Sequence, residues 1–150
     1  EYVTAKVLSL SVISTMVGLV LLAVTLPGRL QLLPLVIGLL AGSVLFSLAG
    51  LLIASRVSSL NQFMFGVIPL STFIAVPAML HLFDVGRGWT YWHPGAALIQ
   101  LLTLGASPEW MGFGVMLLPL MVLLLWTGLF WKITTLQVGV MVTRLGGVQL

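Results

Sequence analysis

The sequence predicts an all-α fold, a polytopic membrane bundle of four transmembrane helices with one short interfacial or re-entrant outer helix, and three observations carry that reading. Hydrophobic residues make up 60% of the 150-residue chain and charged residues only 6%, where a soluble domain has about 25% charged. Four apolar runs each reach the roughly 20 residues that a helix rising 1.5 Å per residue needs to cross a hydrocarbon core about 30 Å thick. A fifth apolar run of about half that length follows a cluster of Trp and Tyr.

The first span reads from about Val7 to Leu26, free of charge between Lys6 and Arg29, with Pro27-Gly28 breaking the chain behind it. The second reads from Leu32 to Ala54 and is closed by Arg56; the third, Phe63 to Phe83, contains Pro69 and Pro77; the fourth, Trp110 to Trp131, contains Pro119. Prolines inside membrane helices are tolerated when hydroxyls or neighbouring helices satisfy the freed carbonyls, and Ser71 and Thr72 are placed for that task. An outer segment spans 84–109 and a tail follows over 132–150. The chain starts at Glu1 rather than Met, and its first apolar run is too long for a secretory signal, so that run reads as a span and the chain as a fragment or processed product.

Four spans put both ends on one side. Lys6, Arg56, Lys132 and Arg144 fall together, while Arg29 and Arg87 share the other side with Asp84 and Glu109, so the positive-inside rule places the termini and the Arg56 turn in the cytoplasm. Trp110, Trp126 and Trp131 bracket the fourth span, and Trp89, Tyr91 and Trp92 cluster ahead of it, as residues with an apolar body and a polar edge do at headgroup level. The apolar stretch Gly95 to Leu104 is half a span long, which suits a short helix lying in the interface or re-entering the membrane.

Composition excludes several chemistries. The positive excess of 3 is spread over isolated residues, giving no footprint for nucleic acid, and the absence of cysteine removes disulfides and thiol chemistry. No GxxxxGK[ST] phosphate loop occurs, Gly86-Arg87-Gly88 lacks its spacing, and neither a GxSG serine nor an HExxH pair is present, so no enzymatic activity and no cofactor are expected. His81 and His93 read as interfacial side chains. Asp84 and Arg87, three apart, read as an ion-paired helix-end anchor or as a gate at the outer mouth, and Glu109 as a cap on the fourth span. Arg56, Ser58, Ser59, Asn61 and Gln62 form the hydrophilic turn between the second and third spans. Gly38 and Gly42 make a GxxxG continued by Ser43, Ser47 and Gly50, and Ser14 and Gly18 repeat the spacing, a pattern that lets helices approach closely within a bundle or across a dimer.

Glu1-Tyr2 and Ala5-Lys6 before the first span, the run Gly50 to Arg56 leading to Asn61-Gln62, and Trp92-His93-Pro94 in the outer segment resemble the ABC-2-type permeases, closest to bacterial drug-export permeases such as the fluoroquinolone exporters. The resemblance implies a six-span protein of which this chain supplies the last four. It further implies a subunit of an ATP-driven exporter of hydrophobic or amphipathic small molecules, seated in the bacterial inner membrane beside a second permease copy. ATP would be hydrolysed by a separate ATP-binding subunit, with Lys6, Arg56, Asn61 and Gln62 on the face nearest it, while Asp84, Arg87, Trp92 and His93 would form the outer gate. The competing reading is a non-transport membrane assembly or scaffold protein, motivated by the lack of an intramembrane polar site.

Overall fold

The computed structural model describes residues 2–25, 31–107 and 112–146, the side chains of Arg87 and of residues 142–146 excepted. Among these residues six helices follow in order: α1 (Tyr2–Thr25), α2 (Leu32–Ala54), α3 (Leu60–Leu82), α4 (Arg87–Thr90), α5 (Pro94–Ala106) and α6 (Phe113–Gly146). α1, α2, α3 and the Phe113–Met141 part of α6 are long and apolar enough to cross a bilayer, and α5 is a shorter apolar helix. The chain is a polytopic membrane protein.

Local chemistry sets where several helices start. Ser59 caps α3 by accepting the Gln62 N–H at 3.3 Å, while the Gln62 side-chain oxygen accepts the Ser58 N–H at 3.1 Å, a reciprocal pair that begins the helix ahead of the expected Phe63. α5 opens on Pro94, whose missing N–H costs nothing in a first turn, and His93 caps it through Nδ1, which accepts the Gly95 N–H at 3.3 Å. In α3, Pro69 and Pro77 leave the carbonyls of Phe65 and Phe73 without their helical donors. The Ser71 hydroxyl instead donates to Ile68 at 2.9 Å. A helical hydroxyl reaches back only three or four residues, so the expected repair by Ser71 and Thr72 cannot reach either carbonyl.

α6 corrects the fourth span and the tail. Its helix continues through Gly146, past Lys132 where the sequence reading ends it. A single lysine does not stop a helix when its stem can lie along apolar surface, and the far half of α6 has a partner to hold it. Thr134, fully buried, donates to the Leu48 carbonyl of α2 at 3.3 Å, and Trp131 and Val138 pack on the core that contains Leu45, Leu48 and Ala49.

The small residues of α2 show how α5 is held. A Cβ added at Gly38 would lie 3.2 Å from Leu101 Cβ, and one at Gly42 2.9 Å from Leu98 Cδ1. The GxxxG groove therefore receives α5 of the same chain. Gly105 meets Leu35, so the pairings 105 with 35, 101 with 38 and 98 with 42 run α5 antiparallel to α2 and carry its N-terminus inward. There Gly95 packs directly on the Ile74 carbonyl of α3, about 12 Å along that helix from its Leu82 end. Of the two expectations for the short helix, interfacial or re-entrant, the packing is the re-entrant one: α5 is enclosed by α2, α3 and α6 with Ala96, Ala97 and Leu101 fully buried. Gln31 fastens its other end, donating its N–H to Gly105 at 2.8 Å and its side-chain amide to Ser107 at 3.1 Å.

Tyr2 of α1, Ala54 of α2 with Ser55 after it, and Met141 of α6 line one hollow, which places the start of α1, the end of α2 and the far part of α6 at a common end of the bundle, the basic end. α4 and the aromatic cluster occupy the opposite end. α1 leans on α2, with Gly18 against Leu39 and the Thr15 hydroxyl 3.4 Å from that of Ser43.

Candidate functional site

Among the described residues, polar groups concentrate in three places. The first is the inward end of α5. His93 is only 8% exposed, a correction to its reading as interfacial. Gly95 has no side chain to hold α5 away from α3, so the helix start sinks to the level of Phe73, whose ring meets the imidazole edge-on at 4.5 Å between centroids. Trp126 completes the surround at 5.9 Å from His93, with Phe130 beyond it. The Trp126 indole N–H donates to the Trp92 carbonyl at 2.9 Å. Trp126 lies about 20 Å along α6 from Phe113, so it clamps the strand of chain leading into α5 rather than marking a headgroup boundary. Because Nδ1 accepts the Gly95 N–H, the neutral ring carries its hydrogen on Nε2, and that buried N–H has no hydrogen-bond partner among the described residues. The arrangement offers one unused donor in an aromatic wall; it is chemistry for holding an acceptor group.

Toward the aromatic end, His81 Nδ1 lies 3.4 Å from the Thr90 hydroxyl, which also donates to the Gly86 carbonyl at 3.2 Å, and the His81 ring meets Tyr91 at 5.2 Å. These contacts pin α4 to α3. The turn between them needs left-handed backbone at Asp84 (φ 63) and Gly86 (φ 69), conformations that Asp and Gly adopt most readily. The four residues expected at an outer gate thus stand at two levels. Asp84 and the backbone of Arg87 flank the end of α3, whereas His93 sits beside Phe73, roughly 16 Å lower on that helix. Trp92 is 67% exposed and links the levels through its carbonyl. The expected Asp84–Arg87 ion pair, the Glu109 cap, Arg29 and Trp110 lie outside the described residues and side chains.

The second place is the basic end. Arg56 lines a hollow of about 360 Å³ with Ser55, Ser58, Gln137, Val140 and Met141. Lys6 and Asn61 are exposed, while Gln62 spends its oxygen on the Ser58 N–H and hydroxyl. Gln137 and Met141 fall in the stretch that sequence reading assigned to a tail; the helical continuation that brings them here depends on the Thr134 and Trp131 packing, which leaves no local signal.

The third is a hollow of about 390 Å³ between α1, α2 and α5, lined by Leu10, Ser14, Ser43, Phe46, Ser47 and Leu98 among others. Its serines belong to the ridge visible in the sequence, but its third wall is α5. No protein-family model, curated protein or solved structure matches the chain.

Proposed function

We propose that this chain is the membrane-spanning permease subunit of an ATP-driven exporter of hydrophobic or amphipathic small molecules, energised by a separate ATP-binding subunit and working beside a second permease copy. The observation that carries the reading is α5, a half-length helix inserted between the third and fourth spans with its N-terminus turned inward. That is the place where the family resemblance expects short outer helices, and such an insertion has no purpose in merely anchoring a chain. The hydroxyl-bearing hollow between α1, α2 and α5 adds support, since an apolar wall with a few hydroxyls accommodates an amphipathic molecule arriving from the bilayer. On this reading the basic end, with Lys6, Arg56, Asn61 and Gln62, is cytoplasmic and faces the ATPase, and Asp84, Arg87, Trp92 and His93 belong to the exit.

The test is affinity capture of the full-length protein from its native membrane, followed by ATPase assay in proteoliposomes. The expected result is a co-purifying soluble ATPase whose turnover rises when amphipathic cations or aromatic drugs are added. A chain that captures no nucleotide-binding subunit, and whose membranes accumulate the same drugs with or without it, is the assembly or scaffold protein instead.

A further inference from the structure

The hollow at the basic end joins a second one. The Arg56 hollow, about 360 Å³, shares Ala54, Ser55 and Met141 with a neighbour of about 230 Å³ whose other walls are Tyr2, Leu51 and Val138. The first has polar residues on one side, Arg56 and Gln137 among them, and apolar Val140 and Met141 on the other. The second is almost entirely apolar and reaches one turn along α2, to Leu51. α2 is about 34 Å long from Leu32 to Ala54, so the junction lies just beyond a hydrocarbon core of about 30 Å, at the depth of phosphate groups.

Two donors there are unspent among the described residues. Arg56 makes no ion pair among the described residues, and the Gln137 amide makes no hydrogen bond among them. Ser55 and Ser58, by contrast, use their hydroxyls on Leu52 and Gln62. The N-terminus of α3 follows immediately after Ser58, adding the positive end of a helix dipole to the guanidinium. Lys6 carries further exposed positive charge on α1, about one turn from Tyr2. A guanidinium presents a planar fork suited to phosphate oxygens, and a cation held against apolar side chains at this depth attracts an anion that brings its own apolar tail.

We propose that these joined hollows bind one anionic phospholipid, its phosphate on Arg56 and Gln137 and one acyl chain along Leu51, Val138 and Met141. The assignment is independent of the transport reading, because it requires only the four spans and a guanidinium that has no ion pair among the described residues. A free phosphate ester would share the polar contacts, but it would leave the apolar hollow unfilled.

The measurement is lipid binding to the full-length protein in detergent micelles, read by native mass spectrometry with phosphatidylglycerol, phosphatidylcholine, glycerol 3-phosphate and inorganic phosphate as probes. Phosphatidylglycerol is expected to be retained over phosphatidylcholine by about fivefold, the worth of one interfacial arginine. Arg56→Gln abolishes that preference, Arg56→Lys keeps part of it, and Met141→Trp, which fills the apolar hollow while leaving the cation, lowers retention of both lipids. Circular dichroism and a monodisperse profile identify variants that fold; if Arg56→Gln does not, Gln137→Leu and Met141→Trp decide. Equal retention of the two lipids, an Arg56→Gln protein that keeps the preference, or displacement of phosphatidylglycerol by millimolar inorganic phosphate each overturns the proposal.

Discussion

Gly42 and Gly95 are both buried helical glycines pressed against another helix, and a single methyl group separates their roles. At Gly42 the nearest atom to an added Cβ is the Leu98 methyl at 2.9 Å, the far end of a side chain that can rotate. Turning Leu98 off its rotamer costs about 0.5–1.5 kcal/mol, and replacing glycine by alanine within a helix returns about 1 kcal/mol. Gly42→Ala should therefore leave the thermal unfolding midpoint in detergent almost unchanged. At Gly95 the obstacle is the Ile74 carbonyl, a backbone atom that can move only with α3. Gly95→Ala should cost about 1–3 kcal/mol as an overpacked contact, seen as a lowered midpoint in the same assay. A Gly95→Ala protein as stable as the parent would mean that α5 does not pack this closely on α3.

At the scale of elements, α5 is held at both ends by hydrogen bonds from other parts of the chain: Trp126 to the Trp92 carbonyl ahead of it, and Gln31, through its N–H and its side-chain amide, to Gly105 and Ser107 behind it. Trp126→Phe keeps an aromatic ring beside Phe73 and His93 while removing the donor, so its expected cost is the bond, about 1 kcal/mol, plus the packing of the lost part of the indole. The readout that distinguishes clamping from simple packing is proteolysis: cleavage around Trp89 to Trp92 should quicken in Trp126→Phe, while the α1–α2 pair stays protected. Thr134→Val makes the same test for α6. Its lost bond to Leu48 is worth about 0.6 kcal/mol, the average for such contacts within membranes, and uniform protection of residues beyond Lys132 in that variant would show that Trp131 and Val138 hold the helix without it.

These elements also show what a linear reading can reach. The four spans were legible because a bilayer imposes one length and one polarity on whatever crosses it, and Leu32 to Ala54 satisfies both without reference to any neighbour. The short apolar run after Pro94 was legible as half a span. Its inward turn was not, because that depends on Gly95 meeting a carbonyl of α3 and on the small faces of Gly38 and Gly42 meeting Leu101 and Leu98. His93 and Trp126 were misplaced for the same reason: each looks interfacial alone, and each is drawn inside by partners far away in sequence. Lys132 resembled a helix boundary because the packing of Thr134 against α2 leaves no trace in the residues around it.

For the whole molecule, the consequence is a bundle that is closed around α5 and open around α1. α1 has its principal contact with α2, and between them, backed by α5, lies the hollow bearing Ser14, Ser43 and Ser47. If amphipathic molecules are handled there, filling the hollow should impair their movement without disturbing the fold. Ser14 is exposed and Ser47 half-buried, and neither is needed for the Thr15–Ser43 contact, so Ser14→Leu with Ser47→Leu adds apolar volume where space already exists. The double variant should keep the parent unfolding midpoint within a few degrees and keep the basal ATPase rate of the captured complex, while drug-stimulated turnover and vesicle uptake fall severalfold. Loss of basal and stimulated rates together would instead place the damage at the contact with the ATPase. Unchanged stimulation would remove this hollow from the proposed export path.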